Sequence, residues 1–144
     1  MTVIRDIMTK DVETCSLLDN VYEVALKMKE FNIGSIPILD EEKIVGVMTD
    51  RDIVIRCIAE KHPASSKVED IMSKHLVTTG PDTSVEEAAH MMAENQVRRL
   101  PVVEGGRLIG MISLGDLAIR ESLGKEAYVA LENISESDFS NKPF

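Results

Sequence analysis

Residues 4–53 of this chain return as residues 68–117 at a constant spacing of 64, without a gap. Asp6-Ile7-Met8 comes back as Asp70-Ile71-Met72, and Val21, Ala25 and Met28 come back as Val85, Ala89 and Met92. Pro37, Gly46 and Asp52 recur as Pro101, Gly110 and Asp116. Elsewhere character is kept, as in Ile36/Leu100, Ile38/Val102, Lys43/Arg107 and Val45/Ile109. A duplication of this kind limits the fold, because any solution for one copy must serve both. Two repeats are too few for a solenoid, whose units need neighbours on both sides, so the copies are expected to pack on each other about a pseudo-two-fold axis.

Each copy carries the same order of signals. Short extended segments at Val12–Ser16 and Leu76–Thr79 precede helix starts at Asn20-x-x-Glu23 and Ser84-x-x-Glu87, which have capping-box spacing. Val21, Val24, Ala25, Met28 and Val85, Ala88, Ala89, Met92 then form apolar stripes at i, i+3, i+4, i+7. Ile36–Leu39 and Ile44–Met48, parted by Asp40-Glu41-Glu42-Lys43, read as a hairpin of buried strands. Leu100–Val103 and Leu108–Ile112 repeat it around Glu104-Gly105-Gly106-Arg107, where Gly-Gly suits a tight turn. Second helices are predicted over Asp50–Glu60 and Gly115–Leu123. The fold class that follows is α+β (mixed α/β), as two tandem β-α-β-β-α units. The expected division is repeat one at 1–60, a linker at 61–67, repeat two at 68–123, a C-terminal helix at 124–135 carrying Ala127, Ala130, Leu131 and Ile134, and a polar tail at 136–144 with Phe139 and Phe144.

Composition removes several function classes. In 144 residues, 25 acidic against 16 basic side chains give a net charge of −9, unsuited to a duplex nucleic-acid binder that must displace counterions with clustered cations. No apolar stretch approaches the ~20 residues of a membrane span, and the start Met1-Thr2-Val3-Ile4-Arg5-Asp6 does not read as a secretory leader. A cytoplasmic protein is expected, with Cys15 and Cys57 as small core residues. His62, His75 and His90 lack metal-ligand spacing, the methionines Met8, Met28, Met72, Met91 and Met92 read as core filler, and no phosphate-loop, dinucleotide-fold or nucleophile-elbow motif is present. The expectation is no enzyme and no metal.

The second hairpin strand of each copy ends in a matched phrase, Gly46-Val47-Met48-Thr49-Asp50-Arg51-Asp52 and Gly110-Met111-Ile112-Ser113-Leu114-Gly115-Asp116. Both reduce to Gly-x-x-(Thr/Ser)-x-x-Asp, and two readings stand side by side. In one, the hydroxyl and the carboxylate only cap the following helix. In the other, the carboxylates of Asp52 and Asp116 accept hydrogen bonds from a ribose diol, Thr49 and Ser113 support phosphate, and Gly46 and Gly110 let a flat base lie against the strand between apolar neighbours such as Ile36 and Leu100. On so acidic a chain, Arg51, Arg98 and Arg99 are the candidates to offset phosphate charge; otherwise they form surface ion pairs with acids such as Glu94 or Glu104.

The tandem copies, the Asp-Ile-Met openings, the Ile36-Pro37-Ile38 and Leu100-Pro101-Val102 strands and the two Gly-x-x-(Thr/Ser)-x-x-Asp phrases resemble a pair of CBS domains, or Bateman module, of the stand-alone bacterial and archaeal type, over roughly residues 1–123. The resemblance implies intertwined units whose sheets pack together, with clefts that in many members bind AMP, ATP, NAD or related adenosine compounds, and assembly as a flat homodimer. It also implies ribose contacts at Asp52 and Asp116, hydroxyl contacts at Thr49 and Ser113, and base-lining positions around Ile36, Pro37, Leu100 and Pro101. The function expected is a regulatory adenine-nucleotide sensor acting through dimer rearrangement or an unknown effector protein. The alternative is a structural protein–protein interaction module whose clefts stay empty.

Overall fold

The computed structural model describes residues 2–119. Outside the described residues fall the end of the second predicted helix, the predicted C-terminal helix and the predicted polar tail with Phe139 and Phe144. Two compact units result, and they do not coincide with the two sequence repeats: one is Glu13–Leu76, and the other takes the chain up to Val12 and again from Val77 onward.

In the Glu13–Leu76 unit, β1 (Cys15–Ser16) pairs in parallel with β2 (Ser35–Asp40), through Cys15 opposite Ile38 and Ser16 opposite Leu39. Strand β2 turns back into β3 (Lys43–Thr49) as an antiparallel hairpin with a register shift after Ile38. Helix α1 (Val21–Phe31) lies between, and buries Val21, Val24 and Met28, three positions of the expected stripe. Asn20 Oδ1 accepts from Glu23 N at 3.0 Å, but Glu23 does not complete the predicted capping box. Its carboxyl group is instead drawn to Asp19, and their hydrogen bond pushes the Glu23 pKa up. Asn32 ends the helix in the left-handed region (φ 54°), with Ile33 N on Met28 O at 3.1 Å.

The second unit repeats these details. Helix α4 (Val85–Asn95) is capped by Ser84 and closed by Gln96 at φ 53°, and it buries Val85, Ala88, Ala89 and Met92. Strands β4 (Arg99–Glu104) and β5 (Arg107–Ser113) form the hairpin, with the matching register shift after Val102 and with Gly105 and Gly106 at positive φ in the turn. The extended segment before α4 is reduced to one parallel bridge, Thr79 to Val102.

What separates repeats from units is the opening segment. Residues 2–9 open repeat one but pack with repeat two: Val85 N donates to Thr2 O (3.3 Å), Ile4 N to Thr83 O (2.9 Å), and Thr9 and Met111 exchange two bonds of 2.9 Å. Residues 66–73 do the same for repeat one: Val21 N donates to Ser66 O (3.0 Å), Val68 N to Asp19 O (3.2 Å), and Val47 and Ser73 exchange bonds of 3.0 and 2.9 Å. In both units the incoming carbonyls satisfy first-turn N–H groups that a helix cannot bond internally. The expected linker is therefore docked; Ala64 O also accepts from Tyr22 N at 3.0 Å. Ile4 is buried with the α4/β4/β5 core, and Val68, Ile71 and Met72 with the α1/β2/β3 core. The first opening is a 3-10 turn (Ile4–Asp6) and the second a short α-helix, α3 (Val68–Ile71).

The second helix of repeat one departs from expectation. It opens as an α turn, α2 (Asp50–Asp52), and continues as a π-helix over Ile53–Ile58, with Ala59 N on Val54 O at 2.8 Å. Cys57 is buried on it, its thiol directed at His62 O and Pro63 O (3.5 and 3.6 Å). Cys15 is also buried, and burial pushes its thiol pKa up; both cysteines are free core residues, as expected. Helix α5 (Leu114–Ile119) follows β5.

Two predictions follow from the packing. A Cβ at Gly46 or Gly110 would sit 2.9 Å from the carbonyl oxygen of Ser73 or Thr9, and 2.5 or 2.6 Å from the sulfur of Met72 or Met8. Gly46→Ala and Gly110→Ala are each expected to cost about 1–3 kcal/mol in urea unfolding. Thr79 is buried at 6% exposure, with no partner for its hydroxyl among the described residues, where repeat one has Cys15. Thr79→Cys is expected to raise stability by about 1 kcal/mol, read as an upward shift in Tm.

Candidate functional site

Each hairpin delivers its second strand to a helix start at the matched phrase. Thr49 is extended (φ −108°, ψ 161°) and the chain turns helical at Asp50. A reciprocal box closes the junction, with Asp52 N donating to Thr49 Oγ1 (3.0 Å) and Thr49 N donating to Asp52 Oδ2 (2.9 Å). The other unit matches it: Asp116 N to Ser113 Oγ is 3.1 Å, and Ser113 N to Asp116 Oδ2 is 2.9 Å. The capping reading is therefore realised in both copies. It leaves ligand chemistry in place, because the box uses one oxygen of each carboxylate and only the acceptor side of each hydroxyl. Asp52 Oδ1 lies 3.9 Å from Arg56 Nε, and the Asp52 side chain is 16% exposed.

Other expected site residues fall elsewhere. Ile36 and Leu100 are fully buried members of the two cores, so they do not line an open face as base contacts. Side chains alternate along a strand, which puts Pro37 and Pro101 on the opposite face, where they too are buried. At Gly46 and Gly110 the space beside the strand is taken by Met72-Ser73 and Met8-Thr9. What these glycines admit is the main chain of an opening segment rather than a base. Arg51, Arg98 and Arg99 are exposed. Glu104, one acid considered for the arginines, pairs with Arg5 at 3.2 Å.

Some neighbours of the site were not singled out from sequence. Arg56 reaches Asp52 and also donates from Nη1 to Met72 O at 3.2 Å, tying the junction to the opening segment. Its i,i+4 spacing from Asp52 was the available signal. Asp50 N donates to Gly34 O (2.9 Å), and a Cβ at Gly34 would lie 2.9 Å from Asp50 Oδ2, so the missing side chain at 34 makes room for the carboxylate at 50. Arg98 O holds Leu114 N at 2.8 Å in the equivalent place.

With this geometry established, comparison with known proteins decides the family. The CBS domain family model matches residues 4–58 and again 68–121. The chain belongs to the CBS domain family. It is 47% identical to the uncharacterized protein YlbB of Bacillus subtilis, over all of this chain and 99% of that one. Hypoxic Response Protein I, solved with two coordinated zinc ions, superposes with a TM-score of 0.77 at 31% identity, covering 83% of this CBS protein and 98% of that chain. The CBS domain pair of protein MJ0100, solved in complex with 5'-methylthioadenosine and S-adenosyl-L-methionine, superposes with a TM-score of 0.74 at 27% identity, covering 87% and 99%. Among the described residues of this CBS pair, no three His, Cys, Asp or Glu side chains are placed to hold a metal, and no helix is long and apolar enough to cross a membrane.

Because Asp52 and Asp116 accept a main-chain N–H, replacing them has a structural cost separable from any ligand effect. Asp52→Ala and Asp116→Ala are each expected to lose about 1 kcal/mol in denaturant unfolding, while Asp→Asn, which retains an acceptor oxygen, keeps most of it.

Proposed function

We propose that this CBS pair is a regulatory module for adenosine compounds, AMP, ATP or a close relative, and not an enzyme. The observation that carries the reading is the duplicated box: two carboxylates, each anchored by one oxygen to its own strand–helix junction, present matched acceptors to a ribose diol. Anchoring matters because a fixed carboxylate loses little freedom when it binds. The adenosine ligands held by the MJ0100 CBS pair support the same chemistry here. Thr49 and Ser113 retain a hydroxyl proton for a further ligand oxygen, and Arg51, Arg98 and Arg99 supply charge for phosphate.

Signalling follows if the ligand prefers one arrangement of the chain over another and shifts its population. The output passes to an effector protein or to a second copy. The exposed apolar side chains Val54, Ile55 and Ile58 on the π-helix, with Tyr22 and Leu26 on α1, support self-association as a homodimer. The two free buried thiols fit a reducing, cytoplasmic setting.

Calorimetric titration of the full chain with AMP, ATP, NAD and adenosine tests the reading. Saturable heat with at least one of them, weakened tenfold or more by Asp52→Asn or Asp116→Asn, is the expected result. No heat and no thermal shift at millimolar ligand would instead leave an interaction module with the boxes acting as caps alone.

A further inference from the structure

Among the described side chains, the large apolar ones left exposed all lie between positions 18 and 58, inside the Glu13–Leu76 unit. The duplication turns this into a contrast between matched positions. Leu18, Tyr22, Leu26 and Phe31 of repeat one become Asp82, Glu86, His90 and Asn95 of repeat two at the same spacing of 64. Asp82 is used where it stands, in an ion pair with Arg5 at 3.7 Å, whereas Leu18 is 94% exposed. Helices α1 and α4 therefore bury the same stripe but differ on the outer side, apolar in the first copy and polar in the second. Single exposed leucines are ordinary on a protein surface; a group of them that one copy keeps and the other lacks is not.

The exposed residues belong to one face. Val21, Val24 and Met28 of α1 share a core with Cys57 of the π-helix, so the two helices cover the same hairpin and turn Tyr22, Leu26, Val54, Ile55 and Ile58 outward. The chain after the π-helix links them: His62 N bonds to Cys57 O at 2.9 Å, and two residues later Ala64 O accepts from Tyr22 N at 3.0 Å. Side chains of this size, each about half exposed or more, present apolar surface on the order of several hundred Å², the scale of the ~800 Å² that each partner of a stable dimer contributes.

We infer that this face receives a second copy of the chain isologously, α1 against α1 about a two-fold axis, and that the α4 face of repeat two stays outside the contact. The inference rests on the self-association reading and adds which face meets which. Charge selects the pairing. Helix α1 carries Glu23 and Glu30 against Lys27 and Lys29, whereas α4 carries Glu86, Glu87 and Glu94 with no lysine or arginine. Two copies meeting through α4 would oppose like charges on a chain already at −9. A mixed contact would press Glu86 and His90 onto the apolar Tyr22 and Leu26 and strip water from the carboxylate. Only α1 on α1 sets apolar side chains against apolar side chains with charges of both signs around them, and an isologous contact of this kind closes at two copies.

The test is the assembly state of the full chain by sedimentation equilibrium. The unsubstituted protein is expected to be a dimer. Leu26→Glu and Ile58→Glu, both at exposed positions, are each expected to weaken the dimer about tenfold or more, because the two-fold places two new carboxylates in one apolar contact. His90→Glu, at the counterpart of Leu26 on α4, is expected to leave it unchanged. Leu26→Cys treated with a short bis-maleimide is expected to join to its own copy, and His90→Cys is not. Far-UV circular dichroism shows whether each variant is folded. A monomeric unsubstituted protein would overturn self-association, and this contact with it. A dimer that withstands both Leu26→Glu and Ile58→Glu, or that His90→Glu breaks, or that leaves Leu26→Cys unjoined, would overturn the repeat-one contact while self-association stands.

Discussion

The close approach of an opening segment to a strand glycine is the contact on which each unit depends. Met8-Thr9 lies against Gly110, and Met72-Ser73 against Gly46, with the carbonyl oxygen 2.9 Å from where a Cβ would stand. That approach permits the paired main-chain bonds between Thr9 and Met111 and between Ser73 and Val47. It also sets residues 2–4 and 66–68 where their main chain meets the starts of α4 and α1. Neither repeat is complete without a segment that the chain supplies from outside it. The repeat is thus the unit of sequence, while the unit of packing is the repeat with the other copy's opening.

The strand–helix junction shows how one side chain serves two purposes. A carboxylate three residues into a helix reaches back to the N–H of its cap, and this holds Asp52 and Asp116 in one orientation. The same restraint leaves the second oxygen at a fixed place relative to the strand end. Capping uses one oxygen of each carboxylate, so it is compatible with the ribose contact proposed for the other. Arg56 links the first junction to Met72 O, so the carboxylate and the opening segment are held by one side chain.

Duplication followed by local change makes the two junctions unequal. The first helices, the bulged hairpins and the boxes match position for position, but the pair joined through main chain beside each box is Gly34 and Asp50 in one repeat and Arg98 and Leu114 in the other.

From sequence alone, the duplication, the two helices with their buried stripes, the hairpins and the boxes were all legible, because each is written in residues a few positions apart and obeys a local period or spacing. Long-range packing decided the rest. The roles of Gly46 and Gly110 are not legible locally, because their neighbours are methionines 26 and 102 residues away along the chain, at 72 and 8. Ile36 and Leu100 are buried in the cores, and hydropathy does not say which face of a strand meets the core. The coupling of Gly34 to Asp50 and of Arg98 to Leu114 needs a hairpin to bring the positions together before the missing side chain at one has meaning at the other. Local order follows from backbone preference and periodicity, but which distant groups share a space is settled only when the chain closes on itself.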